Sequence, residues 1–329
     1  MRFLLDEEQR EFARSLDGML AAAGTPGVAR AWASGDHAPG RALWARLADA
    51  GVFALAVPER HGGLGPLPVE LGVAFTEIGR HAAPGPLVET VAAAAFLDRL
   101  GDETAADAWL PGIATGKTVA SLCLLSAAGP YALDADAADV VLVVDGNTVR
   151  LSDGAGPVQL SLDPVRRLFR PRGNQLVARG HAVAAAAAHA ADVAALVTAA
   201  QSLGLGRTLL ARTVAHAEQR TQFGVPIGSF QAVKHRLADA LIGLEFAEPL
   251  ILAAALALAQ DDPDVGRRIA AAKVAACEAA CTAAGTALQI HGAIGYTDEL
   301  DLSLWIRKAR ALRSAWGTPA ACRARVLTA

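Results

Sequence analysis

The sequence has little of what marks metal, redox or nucleic-acid chemistry. Its four cysteines, Cys123, Cys277, Cys281 and Cys322, form no Cys-x-x-Cys pair, which argues against a zinc ribbon or a dithiol motif. Cys277 and Cys281 are spaced to share a helix face and are read as small buried thiols. Free thiols suit a reducing cytoplasm, the expected location, and no metal site is expected. Basic and acidic residues, 30 and 33, nearly cancel to a net charge of -3. With no block of lysine and arginine, no nucleic-acid groove is expected. Met1 to Glu11 carries acids where a secretory signal needs an apolar run. The apolar stretch 249–259 is too short to span a bilayer, and the alanine-rich stretch 182–200 is interrupted by His189 and Asp192. Both are read as protein interior, with no membrane partner.

What is present is core material. The 329 residues are 53% hydrophobic and 19% charged, enough for an ordered chain of two or three domains. Asp6 followed by Gln9 reads as a capping box, and Phe12, Leu16, Met19 and Leu20 recur at helical spacing behind it. A Gly/Pro loop then leads to a helix through Trp44, Leu47 and Ala48, stopped by Gly51. The run Phe53 to Gly65 ends in glycines that shape a loop; no parallel strand precedes them, so they are not a dinucleotide fingerprint. Helices follow over 69–79 and 87–100. Near Lys117 the period changes to that of strands, with a hairpin turning at Asp145-Gly146-Asn147 and short strands over 158–162, 168–170 and 175–177. From Asp192, read as an N-cap, the chain is expected to be helical throughout. Pro249 should kink one of these helices, and Asp262-Pro263 should open the next.

The stretch from Arg220 to Gln231 joins two long helical patterns through Gly224, Pro226 and Gly228, with Ser229 placed to cap the second. Taken alone, Arg220 is explained as a cation at a helix C-terminus. A second stretch, Gln289-Ile-His-Gly-Ala-Ile-Gly295, changes that balance. Arg220, Phe223, Gly224 and Gln231 resemble the R-x-x-F-G…Q motif of the acyl-CoA dehydrogenase family, and Gln289, Gly292 and Gly295 its Q-x-x-G-G-x-G motif, with Ala293 in place of the second glycine. Val57-Pro58-Glu59-Arg60-His61-Gly62-Gly63 is similar to the family's V-P-E-x-x-G-G segment. The resemblance implies a mostly α fold with a small central β domain: an N-terminal helical domain over 1–115, a shortened β domain over 116–183 and a C-terminal four-helix bundle over 184–329. It also implies FAD as cofactor, its diphosphate and adenine end held by Arg220, Phe223, Gln231, Gln289, Gly292 and Ala293 of a neighbouring subunit. An arginine fork, an aromatic ring and glycines open to close approach suit that task.

The departures from the family pattern concern the reaction itself. The family removes an α-proton from an acyl-CoA with a carboxylate while a hydride leaves the β-carbon for the flavin. The family's Y-E-G-T segment, which carries the base in many members, reads Ala315-Trp316-Gly317-Thr318 here, and tryptophan cannot take a proton. At the alternative base position, counting back from Arg220 by the family's spacing, stands Ala194. Asp192 is too short and half a turn away. Glu245, Glu248, Glu278 and Glu299 are read as solvated or helix-pairing residues. Leu125 to Pro130 lacks the acid and hydroxyls of the family's T-E-P-x-x-G-S-D segment.

No catalytic residue is therefore assigned. The stretch Gln289 to Leu302 resembles the short subunit, lacking the glutamate, of bacterial heterotetrameric members, in which His291 is read as structural. The expected role is the half of an α2β2 acyl-CoA dehydrogenase that completes the FAD site of a longer partner, acting on bulky acyl-CoA esters such as steroid side chains. The alternatives are a self-sufficient, homo-oligomeric flavoenzyme with an unrecognised base, or a flavin-free scaffold.

Overall fold

A computed structural model describes residues 4–125 and 129–328. Six helices come first: α1 (Glu7–Ala21), α2 (Thr25–Ala33), α3 (Ala38–Asp49), α4 (Pro68–Arg80), α5 (Leu87–Leu100) and α6 (Glu103–Ala114). The capping box of α1 is present: Gln9 N–H donates to Asp6 Oδ1 at 2.8 Å and Asp6 N–H to Gln9 Oε1 at 3.1 Å. The expected Gly/Pro loop contains α2, with Pro26 in its first turn where a missing N–H costs nothing. Helix α6, capped by Asp102, also escaped the periodicity reading. Between α3 and α4 the glycines do shape a loop: a Cβ on Gly63 would lie 1.8 Å from the Val57 carbonyl oxygen.

Nine strands are described, β1 (Ala120–Leu124), β2 (Ala132–Leu133), β3 (Val140–Asp145), β4 (Thr148–Ser152), β5 (Val158–Gln159), β6 (Leu168–Phe169), β7 (Gly173–Arg179), β8 (Thr221–Gln222) and β9 (Val225–Pro226). One sheet runs β1-β3-β4-β7, parallel only between β1 and β3, and a smaller one runs β2-β6-β5. The predicted hairpin joins β3 to β4 across Gly146 and Asn147. Two buried links dock this region on the helices. Thr90 Oγ1 of α5 donates to the Ala120 carbonyl of β1 at 2.6 Å. Lys308 and Asp163 form an ion pair at 3.4 Å with side chains 5% and 0% exposed.

The remainder is α7 (His181–Gln219), α8 (Gln231–Ala259), α9 (Val265–His291), α10 (Leu302–Leu312) and α11 (Pro319–Thr328). Asp192 does not cap α7. The alanines at 182 and 184–188, the best helix formers, carry the helix back to His181, and Asp192 pairs from its interior with both terminal nitrogens of Arg325 on α11. Pro263 sits in the turn before α9 and not at its first position; there Asp262 Oδ1 accepts the Asp264 N–H at 2.8 Å. Helix α8 runs on through Pro249. By length and composition α7 and α8 could each cross a membrane; α7 is instead packed deep among α4, α5 and α9, while α8 keeps Leu241, Ile242, Phe246 and Leu250 exposed.

The tightest crossing is between α4 and α7. A Cβ on Gly204 would lie 1.8 Å from the Thr76 carbonyl oxygen, and one on Gly79 would lie 2.0 Å from that of Gln201. The two backbones touch because neither glycine has a side chain. Replacing Gly204 with valine should lower stability by about 3 kcal/mol or more, since the obstructing atoms are backbone and cannot rotate away. The expected readout is a lower urea midpoint than wild type; an unchanged midpoint would contradict the packing.

Candidate functional site

The two motifs meet at one end of the bundle. Helix α7 ends at Arg220, whose N–H donates to the His216 carbonyl at 2.9 Å and whose own carbonyl accepts the Ile227 N–H at 2.8 Å. Between those bonds β8 and β9 form a tight hairpin with Phe223 and Gly224 at its tip, at φ of 53° and 83°. Positive φ at both central residues is the geometry that two-residue hairpins favour, and glycine adopts it at no cost. For phenylalanine the left-handed conformation costs roughly 1–2 kcal/mol. The ring nevertheless stands 95% exposed, with only an edge contact to Phe230 at 6.4 Å between centroids. Strain combined with an exposed aromatic is a pattern that local packing does not explain.

Ser229 does not cap α8. It lies in a 3-10 turn (Ile227–Ser229) and donates to the Pro226 carbonyl at 2.7 Å, leaving Phe230 in the capping position without a side-chain acceptor. Gln231 is the exposed first residue of α8. The second motif closes α9: Gln289 is exposed near its end, Gly292 turns the chain at φ 66°, and Ala293 is exposed in the following 3-10 turn (Gly292–Tyr296). The two segments are joined by the rings of His216 and His291, stacked 4.1 Å apart. His291 Nδ1 lies 2.9 Å from the Ala287 carbonyl, so that nitrogen carries the proton and donates. Among the described residues, the side chains of Arg220, Gln231 and Gln289 find no hydrogen-bonding partner within the chain. Together they present a guanidinium, two amides, an exposed ring and a glycine turn on one surface, a donor set suited to a dinucleotide's diphosphate.

A second locus lies between the sheet region and α10. It is a cavity of about 500 Å³ whose wall includes Glu89, Arg166, Arg310, Arg313 and Trp316. Trp316 is 8% exposed at φ 53°, and its Nε1–H donates to Glu89 Oε1 at 3.1 Å. Glu89 is 3% exposed; its Oε2 has no hydrogen-bond partner, and Arg166 stands 3.8 Å from Oε1. Sequence reasoning missed Glu89. The signal was there: it is the only acid among the first eleven residues of α5, all of which are buried. Ala194 is wholly buried and brings no carboxylate. Glu245 and Glu248 pair with Arg207, and Glu278 with Arg323, as surface residues do. Of the segment Leu125 to Pro130, residues 126–128 lie outside the described ones.

The helical N-terminal region, small sheets and long-helix bundle define an acyl-CoA dehydrogenase fold. A structure of a variant of the Tcur3481–Tcur3483 steroid ACAD superposes at a TM-score of 0.85 with 26% identity over 97% of this chain and 96% of that one. The ChsE4–ChsE5 complex from Mycobacterium tuberculosis matches in fold at a TM-score of 0.85 and 24% identity, covering 99% of this chain and 98% of that one. The sequence agrees. Residues 6–117 match the acyl-CoA dehydrogenase N-terminal domain and 182–328 the acyl-CoA dehydrogenase C-terminal domain. The acyl-CoA dehydrogenase IpdE2 of Mycobacterium tuberculosis is 31% identical over 92% of this chain and 91% of its own length. The chain belongs to the acyl-CoA dehydrogenase family.

The partly buried His216 gives the folded chain a pH dependence. Burial, then the neighbouring His291 and Arg220, hold the His216 imidazole below its usual 6.5. The folded chain therefore resists a proton that the unfolded chain accepts. The contribution of His216 is complete above pH 6.5 and is lost as pH falls below it. An NMR titration should place its midpoint below 6.5, and His291→Ala should move that midpoint upward; a wild-type midpoint at or above 6.5 would contradict the burial of the ring, and an unmoved midpoint in His291→Ala would contradict the contact.

Proposed function

We propose that this chain is the non-catalytic subunit of an α2β2 acyl-CoA dehydrogenase, completing the FAD site of a longer partner that supplies the base and the thioester pocket. The observation that carries this reading is a contrast within one chain. The groups suited to a neighbour's cofactor, Arg220, Phe223, Gln231, Gln289, Gly292 and Ala293, are exposed, and among the described residues the side chains of Arg220, Gln231 and Gln289 have no hydrogen-bonding partner. At the position where the family carries its base, the chain has Trp316, bonded to Glu89. The ChsE4–ChsE5 complex pairs two different chains on the same fold, which supports a hetero-oligomer. The steroid ACAD relative supports a bulky acyl-CoA ester as substrate.

Bound FAD supplies the hydride acceptor. This chain's part is to hold the distant end of the dinucleotide. Arg220 offers a planar fork to the diphosphate, Phe223 a ring face for adenine, and the turn at Gly292 a backbone free of Cβ where the cofactor comes close. The strain at Phe223 is consistent with a ring held ready for a ligand from outside the chain. Gln231 and Gln289 add neutral donors and acceptors at the edges of the same surface.

Purified alone, the chain should be colourless, and flavin and activity should appear on co-purification with its partner. In that complex Arg220→Ala should weaken flavin retention by about ten- to a hundredfold, the roughly 1.5–3 kcal/mol of a hydrogen bond to a charged group. A yellow, active single chain would overturn the reading, and unchanged retention in Arg220→Ala would leave a flavin-free scaffold. One observation favours the self-sufficient alternative: the buried carboxylate of Glu89 faces the cavity. On that reading the isolated chain binds flavin stoichiometrically, an acyl-CoA bleaches it, and Glu89→Gln abolishes the bleaching. Bleaching that persists in the variant would exclude Glu89 as the base.

A further inference from the structure

The glycine-rich turn before α4 sets a histidine against α6. His61 ends a short 3-10 turn (Glu59–His61) whose backbone is fixed: its N–H donates to the Pro58 carbonyl at 3.0 Å, and Gly62 follows at φ 81°. The imidazole is 4% exposed and faces Glu103 and Asp107, which stand one turn apart on α6. Nδ1 lies 3.2 Å from Asp107 Oδ1, and Nε2 lies 4.0 Å from Glu103 Oε2. Both carboxylate side chains are 72% exposed, so the group opens to solvent on their side while the ring closes it from within.

Two features mark the group as short of a cation. Acids four residues apart on a helix repel, and among the described residues neither Glu103 nor Asp107 has a lysine or arginine in ion-pair contact. The imidazole is also unpartnered: Nε2 has no hydrogen bond, and Asp107 Oδ1 stands off the hydrogen-bonding axis of Nδ1. A buried polar ring without a partner is costly. A second cluster, Asp17, Glu77 and His81, lacks both features: His81 Nε2 is bonded to Asp17 at 2.8 Å, and Arg80 stands 3.4 Å from Glu77 as a cation already in place.

We infer that His61, Glu103 and Asp107 bind one divalent transition-metal ion of the zinc type, which ties the glycine-rich turn to α6. The ring ligand is Nδ1. Two ligands about 2.0–2.1 Å from a tetrahedral zinc stand roughly 3.3 Å apart, close to the 3.2 Å between Nδ1 and Asp107 Oδ1. A ligand atom from each of the three residues lies within 4.8 Å of those of the other two, and the exposed Glu103 side chain closes on the ion by rotation. Water takes the fourth position. One imidazole with two carboxylates selects zinc over magnesium, which prefers oxygen throughout. This holds whether or not the opposite motifs grip a flavin, because the two loci share no residue.

The test is isothermal titration of the purified protein, as the flavin-loaded complex if that is the form obtained, with zinc chloride and with magnesium chloride in a buffer that does not chelate. Zinc should bind at least about tenfold tighter than magnesium. Glu103→Gln and Asp107→Asn change exposed side chains without changing their size, so the fold survives them. Each should weaken zinc binding at least about tenfold, since even partners outside a ligand set commonly carry that cost. Asp17→Asn, in the other cluster, should leave zinc binding unchanged. In an NMR titration zinc should shift the His61 ring signals in the wild type and not in Asp107→Asn. No zinc binding, zinc binding indifferent to Glu103→Gln and Asp107→Asn, binding lost in Asp17→Asn, or magnesium bound as tightly as zinc would each overturn the assignment and leave His61 as an imidazole paired with two acids. Loss of flavin absorbance in the Arg220→Ala complex bears only on the dinucleotide surface.

Discussion

The structure depends on the backbone-to-backbone contact between α4 and α7. Gly79 and Gly204 let two helices approach until carbonyl oxygens occupy the space where side chains would stand. That contact sets the position of a 39-residue helix that reaches from the sheet region to the cofactor motifs. Its upstream half is held by the Asp192–Arg325 pair and by alanine packing against α5. Its downstream half passes Leu244 and Ala280 at Gly206, another close approach. A long helix anchored along its length places Arg220 firmly at its tip.

From that tip the chain divides its chemistry between two places. The exposed surface at the end of α7 and α9 gathers two amides and one guanidinium, without hydrogen-bonding partners among the described residues, and a strained aromatic. The cavity at the end of α10 is the reverse: its carboxylate is buried and bonded to an indole, and its positive charge exceeds its negative. Trp316, buried and at φ 53°, stands in the segment that resembles the family's Y-E-G-T and donates to Glu89. The cost of burying Glu89 falls once Trp316 donates to it, a role that an ionised carboxylate could not fill.

The helices with clean periodicity and strong ends were legible without coordinates. The Asp6–Gln9 capping box, the hairpin at Gly146-Asn147 and the strands near residues 140–152 are local consequences of local residues. The misreadings arise where a competing partner, near or far, lies outside the local pattern. Asp192 looks like a cap because aspartate caps helices well, but an alanine run upstream extends the helix past it and Arg325, far along the chain, claims its carboxylate. Ser229 was misplaced because a competing carbonyl, that of Pro226, lies in a 3-10 turn which periodicity does not reveal. Glu89 was overlooked because nothing nearby in the sequence shows that Trp316, more than two hundred residues later, faces it.

The order and spacing of Arg220, Phe223, Gln231, Gln289 and Gly292, and the presence of Ala194 and Trp316, were determined by the amino-acid sequence alone, since motif spacing and residue chemistry need no coordinates. Only the tertiary structure decided that the two motifs share one end of the bundle through the His216–His291 stack, and that Glu89, Arg166, Arg310 and Arg313 surround one cavity. Those neighbours are brought together by helix crossings that depend on glycine-sized gaps and on buried ion pairs, and such contacts are made between distant parts of the chain, where no local pattern records them.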